Sequence, residues 1–302
     1  MPVEGPHGWL VIDKPLGLSS NRVVDLVRCG VRTKVGHAGT LDPLATGVLP
    51  IALGRATKTI AYAMKGRKCY RFRIRWGIAR VGGDCEGEIV EECGSRPSRE
   101  AIEATLPGFT GTILQVPPVY SAIKVGGRRA YALARGAAPV ELAARPVQIF
   151  RLRLIATPDR DHADCEALVG KGTYVRALVC DLAAALGTFA HVVELRRLSV
   201  GRFIEKQAIA PDSLAGRWHS LAALGYLLPI ETALDDIPAL VLTRAEAARL
   251  RCGQTVVPSN LGGRADPDWP EGSAVAAWHD QVLIALARIE NGGLRPMRVI
   301  NR

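Results

Sequence analysis

The sequence predicts an α+β fold. Segments of period two and segments with a helical stripe alternate without a regular βαβ rhythm, which argues against a doubly wound sheet. The clearest strand is 68–76, where Tyr70, Phe72, Ile74 and Trp76 alternate with Arg71, Arg73 and Arg75. Beyond about residue 235 the chain turns to short apolar runs separated by turn residues, the mark of a second, small β-rich module. Domains at 1–235 and 236–302 follow from that change of character.

Each element has its own signal. Residues 8–13 read as a short strand, and Ser19 or Ser20 can cap a helix running to about Arg32. In 68–76 the apolar face demands a core, while the arginine face is equally a solvated surface or a track for phosphates. Helices are expected at 98–106 and at 128–134, the latter stopped by Gly136. Strands follow at 147–155 and 164–169. Val175, Leu178, Val179, Leu182 and Leu186 form one apolar stripe, so 173–186 reads as a helix closed by Gly187. Thr243 and Glu246 have capping-box spacing and open a short helix ending near Gly253. A turn-rich loop at 261–271 precedes strands at 274–277, 282–289 and 298–300, with Asn291-Gly292-Gly293 between the last two.

Bulk properties bound the function. The 302 residues, 48% of them hydrophobic, supply ample core material. No apolar run approaches a membrane span, and the opening MPVEGPHGWL has neither a secretory nor a transit profile. A soluble cytoplasmic protein is therefore expected. The seven cysteines are scattered and form no Cys-x-x-Cys pair, which suits reduced thiols and suggests neither a zinc site nor a redox motif. Lysine and arginine exceed aspartate and glutamate by 39 to 29, a net charge of +10. That balance suits a polyanionic partner without choosing between RNA, DNA and an anionic membrane.

One segment concentrates chemical signals. In 34–49, Asp42 precedes Pro43 in a stretch almost free of charge, flanked by Gly36, Gly39 and Gly47, with His37 five residues upstream. The proline pushes Asp42 out of helical backbone, and the glycines permit close ligand approach. By residue type alone, Asp42 is equally a turn brace and a catalytic acid.

The string GHAGTLDPLATGVLP around Asp42 resembles the signature of the bacterial tRNA pseudouridine synthases of TruB type, which isomerise uridine 55 in the TΨC arm. Further blocks of that family follow in order: GWLVIDKPLGLSSNRVV at 8–24, GRATKTIAYAMKGRKCYRFRIRWG at 54–77, QVPPVYSAIKVGGRRAYALARG at 115–136, KGTYVRALVCDLAAALG at 171–187 and LRRLSVGRF at 195–203. Ordered matches over about two-thirds of the chain are far more specific than one short pattern.

The resemblance implies the pseudouridine synthase fold, a mixed and largely antiparallel sheet with a catalytic cleft, followed by a PUA-like RNA-binding domain. It implies a base-flipping isomerase without cofactor or metal. Asp42 matches the catalytic aspartate, Arg176 the arginine that pairs with it, and Tyr70 the active-site tyrosine against the uracil. His37 matches a histidine supporting the flipped nucleotide, Leu195 a leucine of the uracil pocket, and Gly39 lies in the signature. Lys14, Arg55, Lys58, Lys124, Arg128 and Lys171 are expected phosphate contacts. Without the family match, Arg176 reads as a surface arginine early in a helix, Tyr70 as a core tyrosine and Leu195 as a core leucine. The expected partner is the tRNA TΨC stem-loop, with a monomeric enzyme needing no guide RNA or obligatory protein. A tRNA-folding chaperone is the alternative from another class; a short N-terminus without Lys-rich tails argues against the guide-dependent branch.

Other patterns fail. Gly170-Lys171-Gly172-Thr173 lacks the order of a phosphate-binding loop, and no Gly-x-Gly-x-x-Gly follows a strand. One departure stands out at 78–87, where Arg80-Val81-Gly82 replaces the family's acidic Thr-Asp-Thr while Asp84-Cys85-Glu86-Gly87 is kept. Altered loop structure or altered tRNA contacts are expected there, with catalysis retained.

Overall fold

A computed structural model describes residues 5–300 apart from 122, 131–132, 134–141, 215, 222–224 and 258–268. Its main element is a ten-stranded mixed sheet. Eight strands form the path: β1 (Gly8–Lys14), β2 (Ala45–Leu53), β3 (Lys68–Trp76), β4 (Gly111–Gln115), β5 (Arg145–Asp159), β6 (His162–Val169), β7 (Ala190–Val200) and β8 (Leu227–Leu228). Their order across the sheet is β8-β1-β2-β7-β3-β6-β5-β4, and only β2 and β7 run parallel on this path. Two short strands complete it, Val35–His37 beside β2 and Phe203–Ile204 beside β7.

Helices α1 (Ser20–Gly30) and α3 (Val175–Ala185) supply apolar stripes to one core. Val23, Val27, Leu178, Val179 and Leu182 pack there with Leu10, Ile12, Phe72 and Ile74. Trp9, Val11, Val48 and Phe203 build a second core from the other residues of the same strands. β1 and β2 are thus buried on both faces, so they carry no polar alternation. The strand at 45–53, to which the sequence alone assigns no element, therefore shows no period-two signal, and Gly47 and Pro50 also interrupt its apolar run. Helix α1 is capped by Ser19, whose hydroxyl accepts from the Arg22 amide, and ends at Gly30 rather than Arg32. Helix α2 (Arg99–Thr105) matches the expected element at 98–106.

The arginine face of β3 is a ladder of ion pairs. Arg73 bonds both oxygens of Asp164 at 2.7 and 3.0 Å and reaches Glu194 at 3.1 Å, and Arg75 pairs with Asp161 at 2.8 Å. Arg71, Arg151 and Arg153 converge on the buried Glu166. Carboxylates on neighbouring strands therefore occupy the row that a phosphate track would need. The expected helix at 128–134 is corrected at its start, since Arg128–Arg129 pair antiparallel with Lys124–Val125. Residues 131–132, 134 and the Gly136 stop lie outside the described residues.

A separate four-stranded sheet makes a small C-terminal β domain, ordered β9 (Ala239–Val241), β10 (Ala274–His279), β11 (Val282–Glu290) and β12 (Gly293–Val299). Helix α4 (Arg244–Arg251) opens on the expected capping box, the Thr243 amide donating to Glu246 Oε2 at 2.7 Å. Leu250, Val275, Ile284 and Ala285 form its own core, while Leu234, Leu283, Leu286 and Ile300 seal it against Tyr62 and Ile230. The strand expected at 298–300 is the end of β12.

Gly47 links this fold to the candidate site. It pairs with Lys14 on β1 and with Arg197 on β7 at φ +98°, and a Cβ there would lie 2.3 Å from the Arg197 carbonyl oxygen. Gly47→Ala should cost about 2–3 kcal/mol through backbone strain and displacement of β7. Urea denaturation measures this; a wild-type midpoint would show that the strands accommodate the methyl group.

Candidate active site

Asp42 lies in the turn between the strand Val35–His37 and β2, and the polypeptide on either side is bolted down. The buried Ser20 hydroxyl donates to the Leu41 carbonyl at 3.0 Å and accepts from the Leu41 amide at 2.8 Å. Lys14 Nζ donates to the carbonyls of Leu18 at 2.7 Å, Pro15 at 2.9 Å and Pro43 at 3.2 Å. The Gly17 amide also meets Pro43 O, and Ala45 N closes the turn on Asp42 O at 3.0 Å.

Arg197 holds both flanks of the turn. It is 1% exposed, with Nε on Val48 O at 2.8 Å, Nη2 on Gly39 O at 2.9 Å and Nη1 on Thr40 O at 3.4 Å. Gly39 takes φ +110° beside it, a backbone state that glycine adopts without strain.

Arg176 organises the charges. It opens helix α3, whose start is fixed by the buried Gln115: Tyr174 N donates to its Oε1 at 2.8 Å and its Nε2 donates to Tyr174 O at 3.1 Å. The guanidinium is only 4% exposed. Nη2 meets Asp42 Oδ2 at 2.9 Å and Tyr120 O at 2.8 Å; Nη1 meets Asp84 Oδ2 at 3.1 Å and Gly82 O at 2.9 Å. A planar fork thus satisfies two carboxylates and two carbonyls at once. Burial raises the Asp84 pKa against the opposing pull of Arg176 and of the Glu86 amide, which donates to Asp84 Oδ1. With both acids ionised the three side chains carry a net charge of −1.

Asp42, Asp84, Arg176, Tyr120 and Ser121 share the wall of a cleft of about 740 Å³. Asp42 is 36% exposed and presents its carboxylate to that space.

The structure places the sequence-derived candidates differently. Asp42 and Arg176 come together as an ion pair. Gly39 and Lys14 belong to the framework of the turn. Lys14 is fully buried and its three N–H groups are taken by carbonyls, so the expected phosphate contact is corrected to a backbone brace. Burial lowers its pKa to about 8, with Asp42 opposing and Arg197 reinforcing the shift. Tyr70, Leu195 and His37 stand on strands of the main sheet and are not among the residues that line the cleft. Tyr70 lies opposite Arg197 and packs on the main core; Leu195 lies opposite Phe72 and Ala45; His37 lies opposite Ile51. Burial, then Arg197, lowers the His37 pKa, so its ring is neutral at neutral pH. Lys171 is exposed in the turn before α3. The backbone of Lys124 forms a short strand, while its side chain lies outside the described residues, as does that of Arg128.

Sequence reasoning missed Ser20 and Arg197, and read Asp84 as a loop residue rather than a partner of Arg176. Ser20 and Arg197 lie in the family blocks GWLVIDKPLGLSSNRVV and LRRLSVGRF, and Asp84 in the retained Asp84-Cys85-Glu86-Gly87, but nothing local in the sequence shows what each one bonds. Among the described residues no cluster of three or more His, Cys, Asp or Glu is placed to hold a metal ion, and no helix is long and apolar enough to cross a membrane.

Comparison with known proteins places this geometry. Residues 28–175 match the model of the TruB family pseudouridylate synthase N-terminal domain, and 176–235 that of the tRNA pseudouridylate synthase B C-terminal domain. The chain is 50% identical over 301 residues to tRNA pseudouridine synthase B of Bradyrhizobium diazoefficiens, spanning 98% of this chain and 86% of the relative. It is 49% identical to the protein of the same name from Rhodospirillum rubrum, over 98% and 96%. A Cbf5-Nop10-Gar1 complex contains a chain of the same fold, with a TM-score of 0.76 at 23% identity over 98% of this chain and 85% of that one. An H/ACA RNP bound to a substrate RNA containing 2'-deoxyuridine contains another, at 0.75 and 22%, over 98% and 86%. The chain belongs to the TruB family of pseudouridylate synthases.

The bracing role of Lys14 is open to a direct check. Lys14→Met keeps the apolar stem and strands the carbonyls of Pro15, Leu18 and Pro43, so stability should fall by about 2–3 kcal/mol. Urea denaturation reads the change, and an unaltered midpoint would return Lys14 to a surface role.

Proposed function

We propose that this TruB-family chain converts uridine to pseudouridine at position 55 in the TΨC loop of tRNA, with Asp42 as the reacting group. The carrying observation is the ion pair of Asp42 with the buried Arg176 on the cleft wall. The isomerisation breaks the C1′–N1 glycosidic bond, turns the uracil and joins C5 to C1′, after which C5 loses its proton and N1 ends protonated. Atoms and oxidation state balance within the nucleotide, so a positioned carboxylate and a water-poor pocket meet the demand.

Arg176 and Asp84 act together in this reading. The arginine fixes the direction of the Asp42 carboxylate, and Asp84 fixes the arginine from its other edge. The resemblance gives Tyr70, Leu195 and His37 roles toward the uracil and the extruded nucleotide; they stand on the adjoining strands, outside the wall of the Asp42 cleft. Extrusion from the folded elbow costs a few kcal/mol, which contacts to the RNA backbone offset. The Gly82–Gly83 turn, where the family's acidic run is absent, still delivers Asp84 to Arg176. In this reading the altered loop leaves the Asp84–Arg176 pair, and with it catalysis, in place.

The two domains, 1–235 and 236–302, share the RNA. Their seam is a groove of about 1080 Å³ lined by Lys34, Lys58 and Lys65 on one side and Arg288, Arg295 and Arg298 on the other. Glu290, which pairs with Arg295 at 2.9 Å, is the one acid among the described residues of this wall. Such an excess of cations suits tRNA phosphates beyond the TΨC loop. The enzyme acts in the cytoplasm as a monomer, without a guide RNA, an obligatory protein partner or a cofactor.

Incubating the protein with an unmodified tRNA transcript should yield a single pseudouridine in the TΨC loop, mapped at nucleotide resolution. Asp42→Asn should abolish the product and leave the tRNA Kd within about threefold; an active Asp42→Asn enzyme would sink the assignment. Asp84→Asn should slow the single-turnover rate by about tenfold or more while tRNA still binds. Arg288→Glu combined with Arg298→Glu should weaken tRNA binding by about tenfold and flatten its salt dependence. An unchanged salt slope would remove the seam from the RNA footprint.

A further inference from the structure

Ser121 presents an unexplained buried hydroxyl. The residue is 4% exposed, and its Oγ has no hydrogen-bond partner among the described residues. Other buried side-chain atoms share that condition, His37 Nδ1, Arg80 Nε and Trp278 Nε1 among them, but of these residues only Ser121 lines the Asp42 cleft. A buried polar group without a partner is unfavourable compared with alanine at the same place, so its presence calls for a partner that arrives later.

The location says which partner. Tyr120, one residue earlier, gives its carbonyl to Arg176 Nη2 at 2.8 Å, and that same nitrogen holds Asp42 Oδ2 at 2.9 Å. The hydroxyl is therefore one residue away from the clamp on the reacting carboxylate. A serine hydroxyl offers one donor and two acceptor sites, and it rotates to suit its partner. Uracil presents two carbonyl acceptors and the N3–H donor. Turning the base about its N3–C6 axis exchanges N1 with C5 and O2 with O4. A hydroxyl that donates to one carbonyl before the turn thus meets the other after it, and the contact survives the rearrangement.

We infer that Ser121 is a substrate-binding residue whose hydroxyl hydrogen bonds the extruded uridine in the Asp42 cleft. This rests on the proposed pseudouridine synthase activity and adds a contact to it. Removing the hydroxyl should leave the fold intact, because none of the described residues bonds to it, and should weaken only the complex with the flipped base.

The test compares wild type and Ser121→Ala by thermal denaturation and by kcat/KM for pseudouridine formation on an unmodified tRNA transcript. The expected result is an unchanged or raised Tm together with about a tenfold fall in kcat/KM, the size of one neutral hydrogen bond lost from a buried site. A Tm that falls with or without the activity would make the hydroxyl a structural group and overturn the inference. Unchanged Tm and unchanged kcat/KM would overturn it as well. If wild type itself forms no pseudouridine, the functional reading fails first and this assignment goes with it; an active wild type matched by Ser121→Ala removes the serine alone.

Discussion

A buried guanidinium is the constraint on which the site depends. Arg176 sits at 4% exposure in the first turn of α3, where the helix dipole disfavours a cation. Such a group is tolerated only when fully paired, and here each terminal nitrogen takes one carboxylate and one carbonyl. Three separate chain segments, around Asp42, Gly82–Asp84 and Tyr120, are thereby drawn to one point. The cleft exists because these segments converge on a single charge.

The sheet and the turn supply the rigidity this arrangement needs. The Asp42 turn is not held by its own local hydrogen bonds alone. Ser20 from α1 fixes Leu41, Lys14 from β1 fixes Pro43, and Arg197 from β7 fixes Gly39, Thr40 and Val48. Each brace comes from an element anchored in a hydrophobic core, so packing energy becomes positional precision at the carboxylate. Two of the braces, Lys14 and Arg197, are cations whose hydrogen bonds go to backbone carbonyls. The same electrostatics keep His37 neutral, since burial and Arg197 both disfavour its charged form.

How much of this was legible in the sequence varied with the kind of evidence each residue carried. The strand 68–76, the stripe of 173–186 and the capping box at Thr243 are local patterns, and they appear where the periodicity places them. Asp42 and Arg176 could be paired on paper only through the family blocks, because residue type alone leaves one a turn brace and the other a surface cation. β2 was illegible as a strand since burial on both faces erases alternation. Lys14 shows the opposite failure: a lysine beside Pro15 and Gly17 looks like an exposed loop cation, and only the fold reveals three carbonyls closing over it. Asp84 and Arg197 act across more than ninety residues of sequence separation, a distance no spacing rule spans.

The most direct measurement is the single-turnover rate of Arg176→Lys on an unmodified tRNA transcript. Lysine keeps the positive charge but has no planar fork, and one ammonium cannot serve Asp42, Asp84, Gly82 and Tyr120 together. If the geometry of the guanidinium organises the site, the rate falls by about a hundredfold or more while tRNA affinity holds. A rate near wild type would mean that a positive charge alone suffices, and the convergence of three segments on Arg176 would lose its place at the centre of the account.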